Sequence, residues 1–227
     1  MRMRLLAVCV AIAGASVALA AHPMSGQNAT FVQGLEGVAA GPFMYLGAKH
    51  MVTGYDHLLF LAGVIYLVSS LRQIVWYVSL FTIGHSLTLL LGVLGGLRAD
   101  PYLIDAVIGA SVVYKAFENV GGFEQVFGRR PNMDLAVLVF GLFHGLGLST
   151  KLQDYALSAN GLVANILSFN IGVEIGQVLA LTALLIGFAA WRPTSGFQKY
   201  TLVTNTALMA AGFLLVGYHL SGYYVSR

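Results

Sequence analysis

The stretch LGAKHMVTGYDHLLFL, residues 46–61, decides how the whole chain is interpreted. It is apolar enough to enter a lipid bilayer, and yet it contains His50, Asp56 and His57. A charged side chain at the centre of a membrane helix costs about 2.5 to 3.5 kcal/mol on insertion scales, so such residues are rare there and usually have a function. We therefore treat these three residues as a candidate functional site within a membrane-spanning helix.

The rest of the composition is also that of a membrane protein. Of the 227 residues, 58% are hydrophobic and 9% are charged, and the mean hydropathy is +0.79. Soluble domains carry roughly 25% charged residues. The formal net charge is +3, but without Arg2 and Arg4 near the N-terminus 10 basic and 9 acidic residues remain. A chain so close to neutrality has no electrostatic basis for binding nucleic acid.

The first 20 residues predict a cleavable secretory signal peptide. Two arginines precede an apolar run that ends in the small-residue pattern Ala-Leu-Ala at 18–20. An uncleaved anchor helix is the alternative. The only cysteine, Cys9, lies in this segment, so the mature protein would contain neither a disulfide nor a thiolate metal site. Cleavage would also place His22 near the new terminal amine, where the two could chelate a metal, unless this end is simply a disordered tail.

Apolar runs long enough to cross a bilayer recur after a short, polar periplasmic segment at 21–42. We expect six spans within one membrane domain, 43–222, followed by a periplasmic tail at 223–227. The expected spans are about 50–70, 74–95, 102–121, 133–150, 160–189 and 200–222. An earlier start of the first span, near Phe43, is the alternative, because GPFMYLGAKHM at 41–51 is also apolar and could form a short interfacial or re-entrant helix.

The predicted fold class is therefore an all-α integral membrane protein with about six transmembrane helices in a polytopic bundle. Signal cleavage and an even number of crossings would put both mature termini in the periplasm, with the bundle in the bacterial inner membrane. The distribution of basic residues agrees with this topology, because the predicted cytoplasmic turns contain more of them than the outer turns.

Four of the histidines, namely His50, His57, His85 and His144, lie in three of the six predicted spans. On a continuous helix His50 and His57 would lie two turns apart on one face, and Asp56 could ligate a metal at the edge of that face or orient an imidazole. His85 in FTIGHSLTLLLG and His144 in FGLFHGLGLST lie in the second and fourth spans. Four histidines point to a shared metal site, whereas hydrogen bonds that hold the helices together are the structural alternative.

Two other spans contain polar residues. In the third, Lys115 and Glu118 are three residues apart and could neutralise each other, and Asn119 follows them. The fifth contains polar residues spaced i, i+4 and i+7, namely Asn170, Glu174 and Gln177. This spacing predicts one polar stripe that faces the bundle interior or a watery path. Glu174 has no cationic partner nearby in the sequence, so a metal ion or a proton would supply the missing charge.

In order and number, these motifs resemble those of the HupE/UreJ family of bacterial membrane proteins, implicated in nickel supply to hydrogenase and urease. The resemblance covers residues 43 to about 185 and is carried by H-x5-D-H at 50–57, FTIGHSLTL, VVYKAFEN, FGLFHGLGLS and FNIGVEIGQ. It implies a six-span inner-membrane metal permease whose motif residues contact the metal, with metalloenzyme maturation proteins as partners.

The prediction is thus a permease, not an enzyme, that moves a divalent metal ion from periplasm to cytoplasm without an organic cofactor. The expected metal ligands are His50, Asp56, His57, His85, His144 and Glu174, and the expected path-lining residues are Glu118, Asn119, Asn170 and Gln177. The resemblance favours nickel, while the ligand types also suit copper, cobalt or zinc. Two alternatives stay open: an intramembrane zinc hydrolase with dispersed histidine ligands, and an accessory protein that binds metal for enzyme assembly without transporting it.

Overall fold

A computed structural model describes residues 35–154 and 160–226 of the chain. The predicted signal peptide, His22 and most of the predicted N-terminal segment lie outside the described residues. Within the described ranges all regular secondary structure is helical. The helices are α1 (Ala40–Thr53), α2 (Tyr55–Ile65), α3 (Leu71–Gly95), α4 (Pro101–Asn119), α5 (Gly122–Phe127), α6 (Met133–Gln153), α7 (Leu162–Trp191) and α8 (Ser195–Val225).

Four of these helices, α3, α6, α7 and α8, are long and apolar enough to cross a membrane. Large aliphatic side chains are exposed on their outer faces, as at Ile83 in α3, Val178 in α7 and Leu214 in α8. Exposed apolar surface of this extent is expected where the surrounding solvent is lipid. The chain is therefore a multi-pass helical membrane protein.

Helix α4 has the length of a span, but it contains three ionisable residues, Asp105, Lys115 and Glu118. Inside the protein these charges are paired. Asp105 binds Lys151 of α6, and Lys115 binds Glu118 one turn further along its own helix. Paired and hydrogen-bonded charges are the form in which ionisable residues are accommodated inside a membrane protein.

The prediction of one continuous first span over 50–70 is wrong. Helix α1 begins at Ala40, within the segment predicted to be periplasmic, and ends at Thr53. Gly54 has an extended backbone with φ −72° and ψ 102°, and α2 begins immediately after it and ends at Ile65. The Gly54 N–H donates to the His50 carbonyl and the Gly54 carbonyl accepts from the Leu58 N–H, so both helix ends at the break are hydrogen-bonded.

Helix α1 packs on α7 through glycines that let the two backbones touch. A Cβ atom on Gly172 would overlap the carbonyl oxygen of Met44, and one on Gly176 would lie 2.6 Å from the carbonyl oxygen of Ala48. Small residues at helix interfaces permit this close approach in membrane proteins. The order of these contacts shows that α1 and α7 run in the same direction.

Helix α2 continues the path of α1 beside α7. At the far end, the Arg192 guanidinium donates to the carbonyl oxygens of Ile65, Tyr66 and Val68, at 3.3 Å and 2.7 Å for the last two. Helices α3 and α6 form a second closely packed pair and α4 and α8 a third, while α2 contacts members of all three pairs. The break at Gly54 consequently lies about half-way along the bundle.

Candidate metal site

Three of the predicted ligands lie together at the break between α1 and α2. Ring nitrogens of His50, His57 and His85 are all within 4.8 Å of one another. The three side chains are 5%, 4% and 0% exposed. In a tetrahedral site with metal–nitrogen bonds of about 2.0–2.1 Å, neighbouring ligand nitrogens are separated by about 3.4 Å. Small rotations of the rings would therefore let all three bind one ion.

The break at Gly54 is what brings His50 and His57 together. Their ring centroids are 4.8 Å apart, whereas residues seven apart on a continuous helix are separated by about 10.5 Å along its axis. The sequence identified the correct pair of residues, but the prediction assumed that one continuous helix carries both, whereas the structure has a break between them. Non-helical backbone at membrane depth is found where it is buried in protein or lines a cavity, and broken helices of this kind often carry ion sites.

His144 of α6 adjoins the cluster. Its ring centroid lies 4.9 Å from that of His57, and its Nδ1 lies 2.7 Å from the carbonyl oxygen of Phe140. Because a carbonyl oxygen only accepts hydrogen bonds, Nδ1 carries the ring proton and donates it to Phe140. Nε2 then keeps its lone pair for a metal. Rings of Phe60 and Phe81 pack against His144, with centroids 5.8 Å and 4.8 Å away.

Asp56 lies against His57, which is the geometry of the orienting alternative to direct ligation. Its Oδ1 lies 2.9 Å from Nδ1 of His57, and the same oxygen accepts the His57 backbone N–H at 2.9 Å. A carboxylate in this position holds the proton on Nδ1, fixes the ring and makes Nε2 a better metal ligand. The Asp56 side chain is 26% exposed, while that of His57 is 4% exposed.

Within the described part of the chain, several buried ring nitrogens of the cluster have no hydrogen-bond partner: Nδ1 and Nε2 of His50, Nε2 of His57, Nδ1 and Nε2 of His85, and Nε2 of His144. Buried polar atoms are nearly always satisfied, and each one left without a partner costs about 1–3 kcal/mol. A cavity of about 20 Å³ beside the cluster has room for a single water-sized species. The donor set fits a borderline transition-metal ion.

The polar residues of α7 do not form one inward-facing stripe. Asn170 and Gln177 are buried, whereas Glu174 is exposed on the outside of the helix. The three side chains span about 60° of the helix circumference. The edge of the buried face passes between Asn170 and Glu174. The Gln177 carbonyl accepts the Thr82 hydroxyl at 2.7 Å. The expectation that Glu174 faces the bundle interior is therefore wrong, and the structure does not bring it to the histidines.

Glu118 and Asn119 belong to a separate polar cluster. The Lys115 ammonium donates to Glu118 and, at 2.8 Å, to the Asn119 side-chain oxygen. The Asn119 amide donates at 2.9 Å both to the Gly63 carbonyl and to the Asn205 side-chain oxygen. These bonds connect α4 to α2 and α8, so in this structure Lys115 and Glu118 neutralise each other and the amide bridges helices.

Three further residues line the same cavity as the histidines and were not predicted as site residues from the sequence: Asp105, Lys151 and His219. Lys151 Nζ lies 2.9 Å and 2.8 Å from the two carboxylate oxygens of Asp105. His219 Nδ1 lies 3.7 Å from Asp105 Oδ2. A signal was present, because Asp105 and His219 are ionisable residues inside predicted spans.

Comparison with known proteins agrees with this reading of the motifs. Residues 26–227 match the family model described as HupE / UreJ protein. The chain belongs to the HupE/UreJ family. No curated protein and no solved structure matches it. The resemblance seen over residues 43 to about 185 is thereby confirmed, and the family match extends through α8, which carries His219.

Proposed function

We propose that this HupE/UreJ protein is a permease that moves a divalent transition-metal ion, nickel in the first place, across the bacterial inner membrane. The observation that carries the proposal is the buried cluster of four histidines at a broken helix, with ring nitrogens that lack partners. Membership of the family supports a role in nickel or cobalt handling at a membrane.

A six-crossing topology is part of the proposal. Helices α1 and α2 together would form one broken crossing, and α3, α4, α6, α7 and α8 would form the other five. The chain would then return to the side on which α1 begins. If the predicted signal peptide is cleaved, that side is the periplasm.

His57 would be the central ligand of the path, because it lines two cavities. The cavity of about 20 Å³ extends toward the end of the bundle where α1 begins, and it also contains Lys151 in its wall. The second, of about 10 Å³, extends toward the end where α2 finishes, and Tyr77 and Gln177 line it. An ion held by His57 could therefore be received from one side and released to the other. Neutral imidazoles bind such an ion while permitting ligand exchange.

Metal uptake by vesicles that contain only this protein tests the proposal. Nickel(II) should accumulate in vesicles with the wild-type protein. His57→Ala should lower the rate about 100-fold or more, because the loss of even an outer-shell partner costs about 10–100-fold at metal sites. Gly187→Ala is the matched control, since a Cβ atom at Gly187 of α7 meets no atom within 4 Å.

The same preparation separates the permease from its two rivals. A zinc hydrolase should retain one zinc ion per chain through purification, and His57→Ala should remove it without any effect on vesicle uptake. An accessory protein should bind nickel(II) in detergent but produce no accumulation inside vesicles. Either result would refute transport.

A further inference from the structure

The cavity beside the histidine cluster has a charged wall of its own. Asp105 of α4, Lys151 of α6 and His219 of α8 line it together with Asp56 and His50. Asp105 and His219 are 8% and 9% exposed. Three different helices deliver these side chains to one cavity, at the end of the bundle where α1 begins.

The Lys151 ammonium occupies the position that a chelated cation would take. Its Nζ is nearly equidistant from both oxygens of Asp105, at 2.9 Å and 2.8 Å. His219 Nδ1 lies 3.7 Å from Oδ2 of the same carboxylate. With neutral histidines, the cavity wall contains two carboxylates, from Asp56 and Asp105, and one ammonium. The wall therefore has a net negative charge that favours entry of a divalent cation.

We propose that Asp105 and His219 form an outer metal-binding station, and that Lys151 is a built-in counter-cation which an incoming divalent metal ion displaces. The inference rests on the proposed transport function and adds the first site that the ion meets. A carboxylate and an imidazole suit the same borderline ions as the central histidines. A buried carboxylate without a partner is costly, so a lysine on a flexible stem stabilises the station while it contains no metal.

The outer station and the central site share one cavity, which His50 connects. His50 lines the same cavity, is 5% exposed, and both of its ring nitrogens lack hydrogen-bond partners in the described structure. An ion that leaves Asp105 and His219 thus enters a space that already contains a free imidazole. Both sets of residues line one cavity.

Equilibrium dialysis of the full-length purified protein against cobalt(II) tests this station. The wild type should bind two ions per chain. His50→Ala combined with His57→Ala disables the central site and should leave one ion, bound at the outer station. In that background, adding Lys151→Met removes the competing cation and should tighten the remaining site about tenfold or more. In the same background, Asp105→Asn combined with Lys151→Gln should abolish cobalt(II) binding at the outer station. The two amides can still form a hydrogen bond with each other, which preserves the packing.

Two further variants keep the result interpretable. Asp154→Asn is the matched control, because Asp154 is an exposed carboxylate at the same end of the bundle, paired with Arg98 at 3.0 Å and outside the cavity lining; it should leave cobalt(II) binding unchanged. If the Asp105→Asn, Lys151→Gln protein fails to fold, as judged by melting temperature, His219→Gln tests the same station and should weaken its cobalt(II) affinity about tenfold.

The outcomes for the outer station and for the transport function are distinct. If the central double variant binds no cobalt(II), if removing the Asp105 carboxylate leaves the residual ion in place, or if removing the His219 imidazole leaves its affinity unchanged, the outer station is refuted and Asp105–Lys151 is only a structural ion pair. A wild-type protein that neither binds cobalt(II) nor accumulates nickel(II) would instead refute the proposed function.

Discussion

Replacing Gly54 by alanine perturbs the metal site through a single added methyl group. A Cβ atom at this position would lie 2.7 Å from His57 Nδ1, 2.9 Å from the His50 carbonyl oxygen and 3.0 Å from Asp56 Oδ1. Each of these contacts is shorter than the van der Waals distance, and all three atoms belong to residues of the candidate site. Either the Asp56–His57 pair must move or the backbone at the break must open.

The effect on global stability is the difference between two opposing terms. The backbone angles of Gly54, φ −72° and ψ 102°, are accessible to alanine, so no conformational strain arises. Alanine lowers the entropy of the unfolded chain, which stabilises the protein by about 0.4–1 kcal/mol. The steric overlap costs about 1–3 kcal/mol. The expected net loss is thus about 0 to 2.6 kcal/mol, whereas a displaced ligand should weaken metal binding about tenfold for every 1.4 kcal/mol of binding free energy lost.

Cobalt(II) affinity and melting temperature, measured on the same Gly54→Ala preparation, check this expectation. Gly41→Ala is the matched control, because Gly41 belongs to the same broken crossing and a Cβ atom there meets no atom within 4 Å. We expect Gly41→Ala to bind normally and Gly54→Ala to bind about tenfold more weakly or worse. A Gly54→Ala protein with wild-type affinity would refute the argument that the break positions the ligands.

Three further substitutions test single contacts. Asp56→Asn keeps the shape of the side chain but removes the charge behind His57, so cobalt(II) affinity should fall about 10–100-fold with little change in melting temperature, and an unchanged affinity would mean that Asp56 does not orient the ligand. Glu174→Gln should leave nickel(II) uptake unchanged because Glu174 is exposed and lines neither cavity beside His57, and a loss of uptake would restore this residue to the path. Lys115→Met leaves Glu118 without its cation and should destabilise the protein by about 3–5 kcal/mol, measured as a lower melting temperature; an unchanged melting temperature would exclude a stabilising role for that pair.

The long apolar helices could be predicted from sequence because hydropathy depends on composition alone. The break in the first crossing could not. A hydropathy window averages over about 19 residues, so a single glycine such as Gly54 inside an apolar run leaves no trace in it. Glycine is unfavourable within a helix by only about 1 kcal/mol relative to alanine, and tertiary contacts decide whether the helix continues.

The candidate ligands were predictable in identity more than in arrangement. Buried imidazoles such as His50 and His85 stand out in apolar segments because few other residues there have polar side chains. A helical wheel, however, gives angles between residues of one helix and not the direction of its buried face. For that reason Asn170 and Gln177 were correctly expected inside, while Glu174, about 40–60° further around the helix, was not correctly placed.

The distribution of the histidines over the helix pairs has a consequence for how an ion could be released. His85 and His144 belong to α3 and α6, which are closely joined: Gly145 of α6 lies against the His85 backbone, and the Thr88 hydroxyl donates to the Leu142 carbonyl at 2.7 Å. His50 and His57 flank the break between α1 and α2, which are held by α7 and by the Arg192 guanidinium.

The four histidines are therefore divided between two units that are each well connected internally, with few contacts between α3 and either α2 or α7. Any relative shift of these units would change the number of imidazoles around the ion without breaking a helix. A site that loses two of its four neutral ligands in one movement can bind tightly in one arrangement and release in the other, which is the requirement for transport.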